Sequence, residues 1–183
     1  MSYKDFQILA PMYKTMNGID EINKHLQTIF NPKSKNKKEV KIAEVLFREE
    51  DKVIQLTNMP DDNVYNGDIG IIEQITTSPK KEIHINFDGN VVKYTPSNFN
   101  NFRLAYAISI HKAQGSEFDV VIMPIVKGYN KMLYRKLVYT GITRSKKKLY
   151  LIGDIEALDI AVANTSVDIR RTTIKEFLQN GIK

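Results

Sequence analysis

Two near-continuous apolar runs, LAYAISI and VVIMPIV, lie between Leu104 and Val126, separated by the polar, glycine-containing segment HKAQGSEFD. Apolar residues without polar alternation fit strands buried on both faces, the pattern of a parallel sheet. The first run ends at Ser109–Ile110, and the second covers Val120–Val126. A polar loop at the carboxyl end of one buried strand, leading on to the next, is where open α/β sheets hold their ligands. Here that loop offers His111, Lys112, Gln114, Gly115, Ser116 and Glu117. An imidazole, a cation, an amide, a glycine and a carboxylate together suit a nucleotide or a phosphodiester.

The flanking segments extend this α/β reading. Phe6–Ala10 predicts a short strand, stopped by Pro11. Apolar residues at 19, 22, 26, 29 and 30 predict an amphipathic helix over Ile19–Phe30, with Asp20 and Glu21 favourably set in its first turn. KSKNKKEVK reads as a solvated loop or as a phosphate-contacting one. From Phe47 to Tyr94 the period changes to two, with short strands in DKVIQLTN, DIGIIEQI, EIHINF and VVKYT. Asn66–Gly67 and Asp88–Gly89 suit tight turns, so a small antiparallel barrel is expected. Ile83, Ile85 and Phe87 share one face of their strand, and His84 reads as an exposed strand residue on the other. Further on, a helix over about Lys131–Lys148 is expected, its triple lysine complementing the helix dipole. A buried strand at Leu149–Ile152 and helices at Ile155–Ala163 and Thr172–Gln179 complete the pattern. Arg170–Arg171 reads as surface.

Composition narrows the function. With no cysteine and three scattered histidines, a disulfide framework or a zinc site is not expected. The amino terminus has no signal-type apolar region, and no apolar run approaches the ~18–20 residues of a membrane span, so a cytoplasmic protein is expected. The formal charge of +6 is uneven: residues 46–100 hold 5 Lys/Arg against 9 Asp/Glu, and the remainder holds 22 against 12. A basic main lobe suits a polyanionic partner, although lysine-rich surfaces also serve solubility alone. No GxxxxGK[ST] occurs, so there is no P-loop to cradle phosphates.

HKAQGSEF resembles motif V of superfamily 1 helicases, and LAYAISIHKAQGSEFDVVIMP is similar to the form in the RecD-like branch. LVYTGITRSKKKLYLIGD (Leu137–Asp154) resembles motif VI, and FQILAPMYKTMNGIDEINKHLQ (Phe6–Gln27) resembles the region around motif IV. The three stand in the family's order. The resemblance implies a second RecA-like motor lobe from residues 1–45 and 101–183, with an SH3-like β-barrel inserted at 46–100. The family usually has a glycine where Glu50 precedes Asp51, which leaves the geometry of that turn open. The resemblance further implies the C-terminal part of an ATP-dependent 5′→3′ DNA helicase. Its P-loop and Mg²⁺ ligands would belong to the missing first RecA-like lobe of the same chain.

The site residues follow from the same resemblance. Arg144 corresponds to the motif VI arginine that reaches the γ-phosphate from the opposing lobe. Glu117 corresponds to the motif V carboxylate that accepts from the ribose, and Gly115 permits close backbone approach beside it. Tyr13 and Lys14 align with a Tyr–Arg pair in the UvrD branch that meets adenine and phosphate; Tyr13 reads equally as an ordinary packed aromatic. Ser109, His111 and Thr143 correspond to groups that contact single-stranded DNA phosphates, with a structural hydrogen bond as the competing reading for His111. Gln114 stands where the UvrD branch has lysine and receives no phosphate role. No metal ligand is expected within the chain, and the insert is a candidate docking face for a protein partner.

The rival reading is a stand-alone, non-catalytic module that binds nucleic acid or protein. It draws on the missing P-loop, whereas TGITR and QGSE keep residue types useful only opposite an active first lobe. Without P-loop and Mg²⁺ ligands, the purified 183-residue chain is expected to show no DNA-stimulated ATP turnover. A phosphate-release assay checks this, and turnover above a mock preparation would overturn it.

Overall fold

The computed structural model describes residues 5–165. Strand β1 (Phe6–Ala10) is buried along its whole length and lies between two parallel neighbours, β9 (Ala107–Ser109) and β10 (Phe118–Ile125). A fourth parallel strand, β11 (Ser145–Gly153), closes the order β11-β10-β1-β9. Helix α1 (Ile19–Phe30) covers one face through Ile19, with Ile22, Leu26 and Phe30 against Phe6, Ile8 and Val120. Helices α2 (Arg135–Ile142) and α3 (Ile155–Ala163) cover the other, where Leu9, Val121 and Met123 meet Leu137, Val138, Ala157 and Ala161. The expected parallel α/β sheet is present.

Between α1 and β9 the chain forms a hairpin, β2 (Glu39–Ile42) with β3 (Val45–Arg48), and a five-stranded antiparallel sheet. That sheet contains β4 (Lys52–Gln55), β5 (Ile69–Thr76), β6 (Glu82–Phe87), β7 (Asn90–Tyr94) and β8 (Phe102–Leu104), in the order β7-β6-β5-β4-β8. Its interior is built as the period of two requires: Ile83, Ile85 and Phe87 are buried, while His84 and Asn86 are half-exposed. Glu50 has φ +73°, the left-handed conformation that glycine adopts most readily. Its N–H donates to the Ile72 carbonyl at 2.7 Å and its carboxylate meets Lys37 at 2.5 Å, which helps hold the strained turn.

Four sequence expectations are corrected. The run from Leu104 to Ile110 is not one strand: β8 pairs antiparallel with β4, the chain bends at Ala105–Tyr106, and β9 pairs parallel with β1. Hydropathy reports burial, which is unbroken across the bend, and not which sheet supplies the hydrogen bonds. The expected helix to Lys148 ends at Ile142, after a 3-10 turn over Lys127–Met132; Lys146–Lys148 belong to β11. A ladder of seven pairs against β10 prevails there over local helix preference. The strand expected to be buried is an exposed edge, with Tyr150, Leu151 and Ile152 at 45, 40 and 57 % exposure, because it comes last in the sheet order. Ile29, counted in the apolar stripe of α1, is 67 % exposed. The most buried line of that helix is instead Ile19, Asn23 and Gln27, continued by Asn31 just beyond its end. Thr172–Gln179 and Arg170–Arg171 lie outside the described residues.

This polar line has a purpose in the packing. Asn23 clasps β9, donating to the Ala107 carbonyl at 3.0 Å and accepting the Ala107 N–H at 2.9 Å. Gln27 and Asn31 donate to the two oxygens of Asp51 at 2.6 and 2.7 Å. The Arg48 N–H and the Tyr106 hydroxyl complete the set at 2.7 and 2.9 Å. Asp51 is fully buried, and burial pushes its carboxyl above the ordinary value; the four donors offset this only in part. Beside it, buried Lys52 donates to the Phe6 carbonyl at 2.9 Å, and burial lowers its pKa to about 8.

Two outcomes follow from these groups. Asp51→Asn sets an amide N–H against donors and should cost about 2–4 kcal/mol in urea unfolding, against about 1 kcal/mol for Tyr106→Phe. For Lys52 the folded protein disfavours the charged form, and that penalty is fully present below pH 8. It disappears between about 8 and the ordinary value of 10.5, since the unfolded chain binds the extra proton in that window. Stability relative to Lys52→Met should therefore rise by about 3 kcal/mol from pH 8 to 10.5, measured by denaturation at fixed pH.

Candidate functional site

The segment from Ile110 to Glu117 leaves the carboxyl end of β9 and returns to the amino end of β10. Ser109 starts the turn: its carbonyl accepts the Ala113 N–H, and its buried hydroxyl accepts the Lys112 N–H at 3.1 Å. His111 lies exposed on the first turn, and Ala113 is buried against the α2 side of the sheet. Gly115 has φ +89° with no atom within 4 Å of a Cβ placed there. Backbone handedness, and not space, calls for glycine at this point. Lys112 reaches sideways to the antiparallel sheet, where its ammonium donates to Asn66 Oδ1 at 2.6 Å.

At the amino ends of β10 and β11 two loops interlock. The Phe118 N–H donates to the Arg144 carbonyl at 2.8 Å. The half-buried Arg144 guanidinium donates to the Ser116 carbonyl, the Thr140 carbonyl and Thr143 Oγ1 at 3.2, 3.2 and 3.1 Å. Glu117, exposed, meets Lys146 at 3.4 Å. Gly141 brings α2 down onto β10, since a Cβ there would lie 2.6 Å from Met123 Sδ. Gly115, Glu117, Thr143 and Arg144 thus form one cluster, in which Thr143 is an acceptor for Arg144 and stands apart from Ser109 and His111.

Tyr13 and Lys14 are elsewhere. They follow the carboxyl end of β1, where Ala10 pairs with Ser109, whereas Glu117 and Arg144 precede β10 and β11. All four strands run parallel, and five residues of strand span roughly 15 Å, so the sheet itself separates the two groups. The partly exposed Tyr13 ring has the Arg103 guanidinium 6.0 Å from its centre. Sequence reasoning did not single out Arg103 or Lys146. Lys146 was absorbed into a helix-terminal lysine run, and Arg103 reaches Tyr13 only because β8 joins the antiparallel sheet. Among the described residues no three His, Asp or Glu cluster as metal ligands, and no helix is long and apolar enough to cross a membrane.

Residues 22–87 match the family model of the ATP-dependent RecD-like DNA helicase SH3 domain, and residues 104–152 match that of the UvrD-like helicase C-terminal domain. The chain belongs to the RecD-like helicase family. It is 36 % identical over 93 % of its length to the ATP-dependent RecD2 DNA helicase of Deinococcus radiodurans, of which it spans 23 %. To the RecBCD enzyme subunit RecD of Buchnera aphidicola it is 28 % identical over 85 % of its length, spanning 26 % of that relative. The chain thus covers about a quarter of the length of these relatives. Its fold is that of Bacteroides Pif1 helicase solved with ADP-AlF3 and ssDNA: TM-score 0.60 and 16 % identity over 99 % of this chain and 47 % of that one. A structure of two Pif1 helicases at forked dsDNA gives TM-score 0.59 and 17 % identity over 97 % of this chain and 45 % of that one. In this RecD-like chain the SH3-domain match begins inside α1, the helix whose Asn23, Gln27 and Asn31 line faces β9 and the Asp51 turn.

Proposed function

We propose that the chain is the second motor lobe of an ATP-dependent 5′→3′ DNA helicase, with the nucleotide at one end of its parallel sheet and single-stranded DNA at the other. The division that goes with this reading is lobe residues 1–45 and 101–183 around an insert at 46–100, whereas the antiparallel strands β2 to β8 themselves run from Glu39 to Leu104. The observation that carries it is the joining of motif V and motif VI through Arg144, whose guanidinium donates to the Ser116 carbonyl and whose carbonyl accepts the Phe118 N–H. The family match supports the reaction class, and the geometry supports the roles.

Arg144 would meet the γ-phosphate of ATP held by a first lobe, where charge develops on the transferring oxygens. Its guanidinium is pre-oriented by three acceptors, of which only Ser116 belongs to the loop before β10. Glu117 suits a ribose hydroxyl, and Gly115 keeps the backbone free of a side chain beside it. Mg²⁺ would be held by residues outside this lobe. On the opposite end, exposed His111 fits phosphate directly, and Ser109 acts by shaping the turn that presents it. Tyr13 and Lys14 join this DNA-facing end.

In the whole protein that contains this lobe, Arg144→Ala should lower kcat by about 10³-fold or more, with nucleotide-free single-strand affinity nearly intact. Arg144→Lys should rescue poorly, because one ammonium cannot reproduce the planar fork. His111→Ala should do the reverse, raising the DNA concentration for half-maximal stimulation at little change in basal turnover. Steady-state ATPase assays with titrated oligonucleotide check all three. An Arg144→Ala kcat within about threefold of wild type would end the arginine assignment.

A further inference from the structure

Where α1, the β2–β3 hairpin and β8 meet, they enclose a cleft of about 740 Å³, within the range of small-ligand pockets. Its floor is apolar, with Ile54 and Phe102 among the lining residues. Four cations line it (Lys14, Lys24, Arg103 and Lys112) against two carboxylates, Asp20 and Glu44. Lys24 is paired with Glu21, and Lys112 with neutral Asn66, so the excess positive charge rests on Lys14, Arg103 and Lys112. Tyr13 stands at the edge with Arg103 6.0 Å from its ring centre. An apolar floor, an aromatic ring with a guanidinium beside it, and cations at the rim match a nucleobase attached to phosphates. A purely apolar partner would leave the cations without a counterpart.

We propose that this cleft is a base-binding subsite for single-stranded nucleic acid, with Tyr13 and Arg103 as its stacking platform and Lys14 and Lys112 as its phosphate contacts. The inference rests on the proposed DNA-facing end and extends it onto the antiparallel sheet. The strand would leave the exposed His111, pass Lys112 and turn a base into the cleft. Lys112 is the link, because it follows His111 in sequence and is bonded to Asn66 of the antiparallel part. Recognition of this kind takes any base, since every base has a π-face, and it would supply grip without sequence preference.

The test uses the full 183-residue chain and two fluorescent probes of equal length, oligo(dT) and an abasic deoxyribose-phosphate strand, read by anisotropy at low salt. Tyr13→Ala should weaken oligo(dT) binding about tenfold and leave abasic binding unchanged. Tyr13→Phe, which keeps the ring, should bind both as wild type, and Arg103→Ala should lose more affinity for oligo(dT) than for the abasic strand. Matched thermal melts exclude misfolding as the cause. Equal weakening of both probes by Tyr13→Ala would mean a phosphate seat only and would overturn the base pocket. Unchanged oligo(dT) binding by Tyr13→Ala and Arg103→Ala, with His111→Ala still weakening it, would overturn the inference while leaving the DNA-facing end in place. Failure of wild type to bind either probe would defeat the DNA reading and the subsite together.

Discussion

Asp51 receives four hydrogen bonds from three different parts of the chain: the end of α1 twice, the β3–β4 turn, and the bend between β8 and β9. Each of these parts belongs to a junction between the parallel and antiparallel sheets. A buried carboxylate is costly to desolvate, so the arrangement persists only while every donor is in position. The result is directional in a way that apolar contact is not. Hydrophobic packing would allow the insert to slide over α1, whereas the four donors fix one register and one angle. Lys52 adds a tie next door, reaching from β4 of the antiparallel sheet to the backbone of β1.

That fixed junction gives the candidate sites their geometry. The cleft exists because the hairpin is held against α1 and β8 against β4, and Arg103 reaches Tyr13 only in that setting. At the other end of the sheet, Arg144 and the loop before β10 are held by a separate set of backbone acceptors. The two ends are connected through residues 110–117, which cross the layer in one short segment with its turns hydrogen-bonded internally.

The sequence by itself determined the class of fold, the strands β4 to β7 of the antiparallel part and the helices Ile19–Phe30 and Ile155–Ala163, because each has an apolar period that local chemistry writes directly; β2, which lies in a lysine-rich run that reads as a loop, and β8 were not legible. It supplied the candidate residues of the proposed site as well, since the motifs around Gly115, Glu117 and Arg144 are local in the chain. Tertiary structure decided what periodicity does not encode. It split the run Leu104–Ile110 between two sheets, turned Lys146–Lys148 from a helix end into an edge strand, and exposed that strand. It made Asn23, Gln27 and Asn31 the inner line of α1, where a reading of hydropathy sees polar residues and assigns them to water. It also set Tyr13 at the opposite end of the sheet from Arg144. The reason is the same in each case: hydropathy records whether a residue is buried, while hydrogen-bond partners and strand polarity depend on segments far away in the chain.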